Sequence, residues 1–240
     1  MKKINEYKSL IINILSKKIN NISILLFLSC PLFAQVDTCD CHKNRPFVFP
    51  LALTAYGALS IGNGGFPSSQ YVKKQRDLNF PTFRTHVDDY LVYVPSALPF
   101  ALEAAGVKGR HDMKDKIALY AISMGMNTVL INTLKYTVKT LRPDGSTRNS
   151  FPSGHTAFAF GGAQFLHKEY GYKSPLYSIA GYAMATTTGG LRILNNRHWF
   201  SDVVVGAGLA MLCTEITYRI YPKIKSLIFK NKTKEVLKPF

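Results

Sequence analysis

Phe151-Pro152-Ser153-Gly154-His155 is the stretch around which the chain is built, because it stands where a polar loop meets an apolar helix. Pro152 ends the loop, and Ser153 belongs to the residue types that cap helix N-termini. Gly154 lets another group approach the backbone closely. Because the free N–H groups of a helix start attract anions, the stretch predicts an anion beside His155 in the first helical turn. Taken alone, the stretch is also compatible with a capped helix that carries a surface histidine.

Two further polar stretches lie at the edges of apolar runs and supply the other candidate site residues. Upstream, Lys135 and Arg142 are two helical turns apart, which would place them on one face of a helix. Downstream, Arg192 is followed by His198 and Asp202, which are four residues apart and share a helical face. A single cation at the end of an apolar helix is often only an interfacial anchor. Three cations, two histidines and one carboxylate in this order indicate a common site.

The three stretches together resemble the signature of the type 2 phosphatidic acid phosphatase (PAP2) superfamily. That signature reads Lys-x6-Arg-Pro, then Pro-Ser-Gly-His, then Ser-Arg-x5-His-x3-Asp, and residues 135–143, 152–155 and 191–202 carry it here. One position departs from it: Leu191 stands where the family has Ser, which removes a hydroxyl contact to phosphate. The resemblance implies an all-α fold, namely an integral membrane helical bundle of the acid phosphatase–haloperoxidase type with about five to six membrane helices.

The resemblance also implies a phosphatase reaction through a phosphohistidine. His198 would be the nucleophile, Asp202 would fix its tautomer, and His155 would protonate the leaving alkoxide and then activate water. The phosphate would be bound by three cations and by the helix start, that is by Lys135, Arg142, Arg192, Ser153 and Gly154. No metal and no cofactor is expected, since cations neutralise the phosphate and no cluster of carboxylates is evident in the sequence.

Other polar residues near the motifs are weaker candidates. Three of them would come over the site from the segment before the first long helix: His86, Asp88 and Asp89. Five more lie beside motif residues and either shape a headgroup pocket or are solvated loop residues: Asp144, Arg148, Asn195, Asn196 and Arg197.

Composition and charge favour a membrane protein. The chain has 240 residues, of which 47% are hydrophobic, and a formal net charge of +16. Many of the cations lie between apolar blocks and in a basic tail rather than in a patch among aromatic residues, which argues against nucleic-acid binding. A bilayer is the expected partner, with basic loops on the cytoplasmic side.

We divide the chain into four segments. Residues 1–34 are predicted to be a signal peptide cleaved after Ala34, with lipidation at Cys30 as an alternative. Residues 35–86 form a periplasmic start with a short apolar helix at 47–61 and a polar loop at 62–84. Residues 87–222 form the phosphatase domain, with helices predicted at 87–105, 116–138, 154–166, 175–193 and 199–221, and residues 223–240 form a basic cytoplasmic tail. Near the cleavage site, Cys39 and Cys41 lack the spacing of a zinc site and are read as free thiols or disulfide partners.

The distribution of basic connectors predicts the orientation and, with it, the substrate. The connectors 106–115 and 167–174 and the tail are assigned to the cytoplasm, so the three motifs face the periplasm from the inner membrane, provided that 47–61 does not cross. A site among membrane helices favours a phosphorylated lipid. The stretch 142–146 and the signal peptide resemble Bacteroidetes-type family members, some of which dephosphorylate lipid A, so a lipid A phosphate is the first expectation. Undecaprenyl diphosphate, phosphatidylglycerol phosphate and a non-catalytic phospholipid-binding role are the alternatives.

Overall fold

The computed structural model describes the backbone of residues 45–236 and the side chains of residues 46–227. Within this part, every regular element is an α-helix. The helices are α1 Arg45–Leu59, α2 Ser69–Asn79, α3 Val87–Leu91, α4 Val94–Ala104, α5 Met113–Val138, α6 Gly154–Tyr170, α7 Pro175–Leu194 and α8 Phe200–Val236. The predicted signal peptide, Cys39 and Cys41 lie outside the described residues.

Helix α8 is the centre of the bundle. It packs against α1, α6 and α5, while α6 lies between α7 and α4 on its other sides. Small residues let the helices approach closely: a Cβ placed on Gly208 would lie 2.8 Å from the carbonyl oxygen of Pro50 in α1. The core between the helices is apolar and includes Ala159, Ala163 and Met211. The bundle therefore holds the start of α6 rigidly against the start of α8.

Two helices in the described residues are long and apolar enough to cross a bilayer, judged by length and composition. They are α5 and the part of α8 at Phe200–Leu227. Helix α5 is the more exposed of the two, since only 28% of its apolar window is buried in the bundle. It presents large apolar side chains outward, including Val129 and Tyr136. A polypeptide in water rarely leaves such a face uncovered, whereas lipid tails would cover it.

The two ends of the bundle carry different groups. The three motif stretches meet at one end, where α5 stops and α6 and α8 begin. The connectors before α5 and after α6 meet at the other end, where the Arg110 N–H donates to the Glu169 carbonyl at 3.0 Å and the Arg110 guanidinium lies over the Tyr172 ring. The motif loops and these two basic connectors thus occupy opposite ends of the bundle, as the sequence predicted.

Three local predictions were wrong. The segment 62–84 is not all loop, because residues 69–79 form α2, which Ser68 caps through a bond from the Tyr71 N–H at 3.2 Å. The predicted helix 87–105 is two helices, α3 and α4, separated by a turn at 92–93. Helix α8 does not end near residue 221 but runs to Val236 through Pro222, so the predicted tail continues the last helix. The other helices lie within a few residues of their predicted bounds. The number of membrane helices and the four-segment division stay predictions.

Candidate active site

His198 and Asp202 lie where the α7–α8 turn enters α8, and both are almost fully buried. Oδ2 of Asp202 accepts hydrogen bonds from the Trp199 N–H at 2.9 Å and from the Ser150 hydroxyl. Nδ1 of His198 is 3.6 Å from the same oxygen and has no hydrogen-bond partner. The expected hydrogen bond from His198 to Asp202 is therefore not formed. Asp202 is held by the two other donors and acts on His198 only through its charge.

Burial keeps the His198 imidazole neutral. The side chain is 2% exposed, and this loss of hydration lowers the pKa of His198 to about 4, although the charge of Asp202 opposes the change. The nearby cations Lys135 and Arg192 lower the pKa further. A nucleophilic histidine must have an unprotonated nitrogen, and this environment supplies one throughout the neutral range.

The Pro-Ser-Gly-His stretch is pinned against the start of α8. The Ser153 hydroxyl caps α6 by accepting from the Thr156 hydroxyl at 2.9 Å and from the Thr156 N–H. The Ser153 N–H donates to the Asp202 carbonyl at 2.9 Å. A Cβ on Gly206 would lie 2.8 Å from the Ser153 carbonyl oxygen, so only glycine allows this approach. Ser153 was predicted to offer its backbone N–H to phosphate, but that N–H is used to join the second and third motifs.

The cations of the first motif lie around the same helix start. Lys135 Nζ donates to the Asn149 carbonyl at 2.6 Å, and its Cε would be 3.8 Å from a Cβ on Gly154. Arg142 lies in the following loop, where its N–H donates to the Thr147 carbonyl at 2.9 Å and its buried Nε has no partner. Lys135 thus lies beside the first turn of α6, Arg142 lies in the loop that follows α5, and neither is ion-paired within the described residues. Their binding of a phosphate stays a prediction.

Arg192 has a different role from the one expected. Its Nη1 lies 2.7 Å from Oδ2 of Asp88, a residue with no exposed surface. Oδ1 of Asp88 accepts from the Asn195 side chain at 2.9 Å. Asp89 lies 3.5 Å from the same guanidinium nitrogen. Arg192 is therefore already neutralised, and less of its charge is left for a phosphate than the sequence predicted.

Helix α3 supplies a partner for the second histidine. Nε2 of His155 is 3.3 Å from Oδ1 of Asp89, and Nδ1 of His86 is 3.2 Å from the other carboxylate oxygen. The hydrogen bond with His86, and then the charges of Arg192 and His155, hold the pKa of Asp89 below its ordinary value. The prediction that the 86–89 segment comes over the site is confirmed. His155 is more exposed than His198, so it is the histidine that solvent reaches more readily.

Helix α2 was not predicted from the sequence, and it contacts and stabilises the backbone near both ends of the third motif. The Ser69 hydroxyl accepts from the Ser201 N–H at 3.0 Å, which caps the start of α8. Nε of Arg76 donates to the Leu194 carbonyl at 3.0 Å, which caps the end of α7. The available signal was Ser68 followed by the helix-forming run at residues 73–76.

The loop residues that join the first and third motifs were partly foreseen. Arg197 Nη1 lies 3.2 Å from Asp144, and the Trp199 indole donates to the Leu141 carbonyl at 2.8 Å. Ser150 was not foreseen at all, because no local pattern links it to Asp202. These contacts close the loop at residues 139–150 over the buried histidine.

The arrangement combines a neutral buried histidine, a second histidine paired with a carboxylate, and two cations without ion-pair partners. Among the described residues, no three His, Cys, Asp or Glu side chains come close enough to hold a metal ion. An arrangement of this kind is chemically able to stabilise an anion by fixed positive charge and to supply a nucleophile and a proton donor. The fold and this cluster define the class of protein: a helical membrane protein that carries histidines and unpaired cations, a combination suited to an anionic group, at the end of its apolar helices.

Comparisons with known proteins agree with this class. Residues 116–226 match the family model of the PAP2 superfamily. The chain is 42% identical over 219 residues to a Lipid A 1-phosphatase from Porphyromonas gingivalis, an alignment that covers 85% of this chain and 48% of that protein. Residues 116–226 therefore belong to the PAP2 superfamily. The chain spans about half the length of the curated relative it matches.

Two solved structures are similar to the chain. One is Aquifex aeolicus LpxE, with 25% identity and a TM-score of 0.47, covering 61% of this chain and 93% of that one. The other is a transmembrane PAP2 type phosphatidylglycerolphosphate phosphatase from Bacillus subtilis, with 19% identity and a TM-score of 0.48, covering 75% of this chain and 96% of that one.

Proposed function

We propose that the chain is a membrane lipid phosphatase that hydrolyses a phosphate monoester through a phosphohistidine, with a lipid A phosphate as substrate. The observation that carries this proposal is the pairing of a buried neutral His198 with a more exposed His155 beside Lys135 and Arg142. The cations lower the repulsion between the phosphate oxygens and an incoming nucleophile, which is the main barrier to this reaction.

The first half-reaction transfers the phosphoryl group to the protein. Nδ1 of His198 faces Asp202, so Nε2 is the nitrogen that attacks phosphorus while the bond to the lipid oxygen breaks. His155 gives its proton to the leaving alkoxide, and Asp89 at 3.3 Å stabilises the protonated form of His155 that must exist before this step. The charge of Asp202 favours the cationic imidazole of the phosphohistidine.

The second half-reaction uses the same groups in reverse. His155, now unprotonated, takes a proton from water as that water attacks the phosphohistidine. The P–N bond breaks, inorganic phosphate leaves and His198 returns to its neutral form. Lys135 and Arg142 hold the phosphoryl oxygens in both steps. In this role Arg192 contributes mainly by fixing α3, and thereby Asp89, against His155.

The choice of substrate rests on similarity and on position. The curated relative at 42% identity is a Lipid A 1-phosphatase. The site lies where α5 ends, and the exposed apolar face of α5 suits lipid tails beside it. The proposal also retains the orientation predicted from charge: an inner-membrane protein with its basic connectors in the cytoplasm and its site facing the periplasm.

Phosphate release by the detergent-purified protein in the presence of EDTA tests the reaction. The panel holds lipid A, undecaprenyl diphosphate, phosphatidylglycerol phosphate and phosphatidic acid. We expect phosphate release from lipid A and loss of this release in His198→Ala. A ³²P-labelled substrate should label the wild-type protein, and the label should be lost in acid and kept in base, as a phosphohistidine requires. Release in His198→Ala at the wild-type rate would refute the nucleophile. Silence on every lipid would favour a non-catalytic phospholipid-binding role.

A matched control separates the chemistry from folding. His155→Gln should lower kcat by about 10²–10⁴, the usual contribution of a general acid–base group. His167→Gln changes a histidine on the same helix at the opposite end of the bundle, where Nδ1 contacts the Ser178 hydroxyl at 2.8 Å. It should leave kcat within about twofold, because it lies about 18 Å from His155 along α6. Equal losses in both variants would argue against the acid–base role.

A further inference from the structure

A second polar cleft opens beside the site described above. Its volume is about 350 Å³, and it lies between the last turns of α5 and the loop that leads to the Pro-Ser-Gly-His stretch. Its lining is polar and basic, with Asn132, Lys135, Tyr136, Lys139, Thr147, Arg148 and Asn149. A volume of this size holds a small polar headgroup rather than a whole lipid.

The cleft carries positive charge that no side chain among the described residues neutralises. No carboxylate lines it, and neither Lys139 nor Arg148 has an ion-pair partner within residues 46–227. Two other arginines at this end of the bundle are paired: Arg192 with Asp88 at 2.7 Å and Arg197 with Asp144 at 3.2 Å. Isolated surface cations are ordinarily only hydrated, but these two share a concave wall, where their fields add and attract an anion.

The cleft is continuous with the phosphate site through Lys135. The ammonium group of Lys135 donates to the Asn149 carbonyl on the cleft wall, and its Cε faces Gly154 at the start of α6. Lys139 follows one helical turn later, about 6 Å further along the α5 axis. Lys135 and Arg142 already supply two positive charges for one phosphate dianion. Lys139 and Arg148 are therefore left for a different anionic group.

The cleft also lies where a lipid headgroup would arrive. Helix α5 leads to it with an outward apolar face, on which Val129 is 68% exposed and Tyr136 is 77% exposed. Acyl chains lying along this face would place their headgroup at the end of α5, with one part at Gly154 and the rest in the cleft. A soluble anion without acyl chains would gain no binding energy from the exposed apolar face of α5.

We propose that this cleft is a specificity subsite that binds a second phosphate on the headgroup of the same lipid whose first phosphate is hydrolysed. The inference rests on the proposed function. Lys139 and Arg148 bind the phosphate that is not removed, while Lys135 forms the boundary between the two anionic groups. The shared chemistry is a headgroup with two phosphates, either spaced on a sugar or joined as a diphosphate.

The test is turnover by the double variant Lys139→Ala/Arg148→Ala on paired substrates. One pair is lipid A with two phosphates and lipid A with only the phosphate that is removed, and the other is a prenyl diphosphate and a prenyl monophosphate. In one of the two pairs, we expect the double variant to have a KM for the two-phosphate lipid about tenfold or more above that of wild type, since two charge-assisted contacts are lost. KM for its one-phosphate partner and kcat for both should stay within about twofold. The affected pair identifies the headgroup.

Lys114→Ala is the matched control. Lys114 is an exposed lysine of α5 without an ion-pair partner in the described part of the chain, and it lies at the far end of the helix. It should leave every KM unchanged. The subsite is overturned if wild type and the double variant show the same ratio of KM values for the two-phosphate and one-phosphate lipids. The phosphatase proposal would be unaffected by that result.

A binding measurement separates failure of the subsite from failure of the proposed function. In a His198→Ala background, lipid affinity is read from quenching of Trp199, the one tryptophan in the 240-residue sequence. Tighter binding of a two-phosphate lipid, lost on adding Lys139→Ala/Arg148→Ala, supports the subsite even when wild type hydrolyses nothing. Equal affinity for one-phosphate and two-phosphate lipids overturns it.

Discussion

The buried ion pair between Asp88 and Arg192 makes the sharpest prediction for stability. Asp88 has no exposed surface and Arg192 is 8% exposed, so both charges are removed from water. The Asp88 carboxylate accepts from Arg192 Nη1 at 2.7 Å and from Asn195 Nδ2 at 2.9 Å. Asp88→Ala deletes both acceptors and leaves the guanidinium with only Asp89, which is half-exposed and 3.5 Å away.

The expected cost follows from leaving one buried charge without its partner. Removing one member of a buried pair costs about 3–5 kcal/mol, and the residual contact with Asp89 favours the lower end of this range. For a chain of this size each kcal/mol lowers Tm by about 2–4 °C, so we expect Tm to fall by roughly 10 °C. The assay is thermal unfolding in detergent followed by the fluorescence of Trp199, a residue of the third motif whose indole donates to the Leu141 carbonyl.

Two controls make this prediction refutable. Lys73→Ala removes a partly exposed pair, Lys73 with Asp77 at 2.5 Å, and should cost only about 0–1 kcal/mol. The double variant Asp88→Leu/Arg192→Met removes both buried charges and should recover most of the lost stability without recovering activity. A Tm change in Asp88→Ala no larger than in Lys73→Ala would refute the reasoning.

Three further predictions concern the site. Burial lowers the pKa of His198 from 6.5 to about 4, so between these pH values the unfolded chain binds a proton that the folded chain does not. Tm should therefore fall as the pH drops from 6.5 to 4. Thermal unfolding of wild type and His198→Gln over this pH range checks the prediction, because this part of the slope should vanish in the variant. Ser150→Ala removes a hydroxyl donor from the buried Asp202 carboxylate and should lower kcat by about 10–100-fold with little change in KM. An unchanged kcat would contradict the role of Ser150 in positioning Asp202. Gly206→Ala places a Cβ 2.8 Å from the Ser153 carbonyl oxygen and should lower both Tm and kcat. Gly190→Ala, whose Cβ would meet nothing within 4 Å, should change neither Tm nor kcat.

Most of the helical framework could be predicted from the sequence, because its determinants are local. Ser153 and Ser174 cap α6 and α7 through their own first turns. Pro175 begins α7 at a position where proline is favoured. The failures at α2 and at the end of α8 have different causes. In α2 the tertiary bonds of Ser69 and Arg76 stabilise a short polar helix, and in α8 the helix continues through Pro222 although proline usually ends or kinks a helix.

The sequence by itself determined which chemical groups are candidates for the site, because the spacing of Lys135, Arg142, His155 and His198 about apolar helices is readable from the chain alone. Only the tertiary structure decided how these groups are partnered. Arg192 meets Asp88 across 104 residues, and Ser150 meets Asp202 across 52. Contacts of such separation leave no periodic pattern in the sequence, since they depend on how the packed helices bring their ends together. For the same reason, the partners that hold Asp202 and neutralise Arg192 became visible only in the folded bundle.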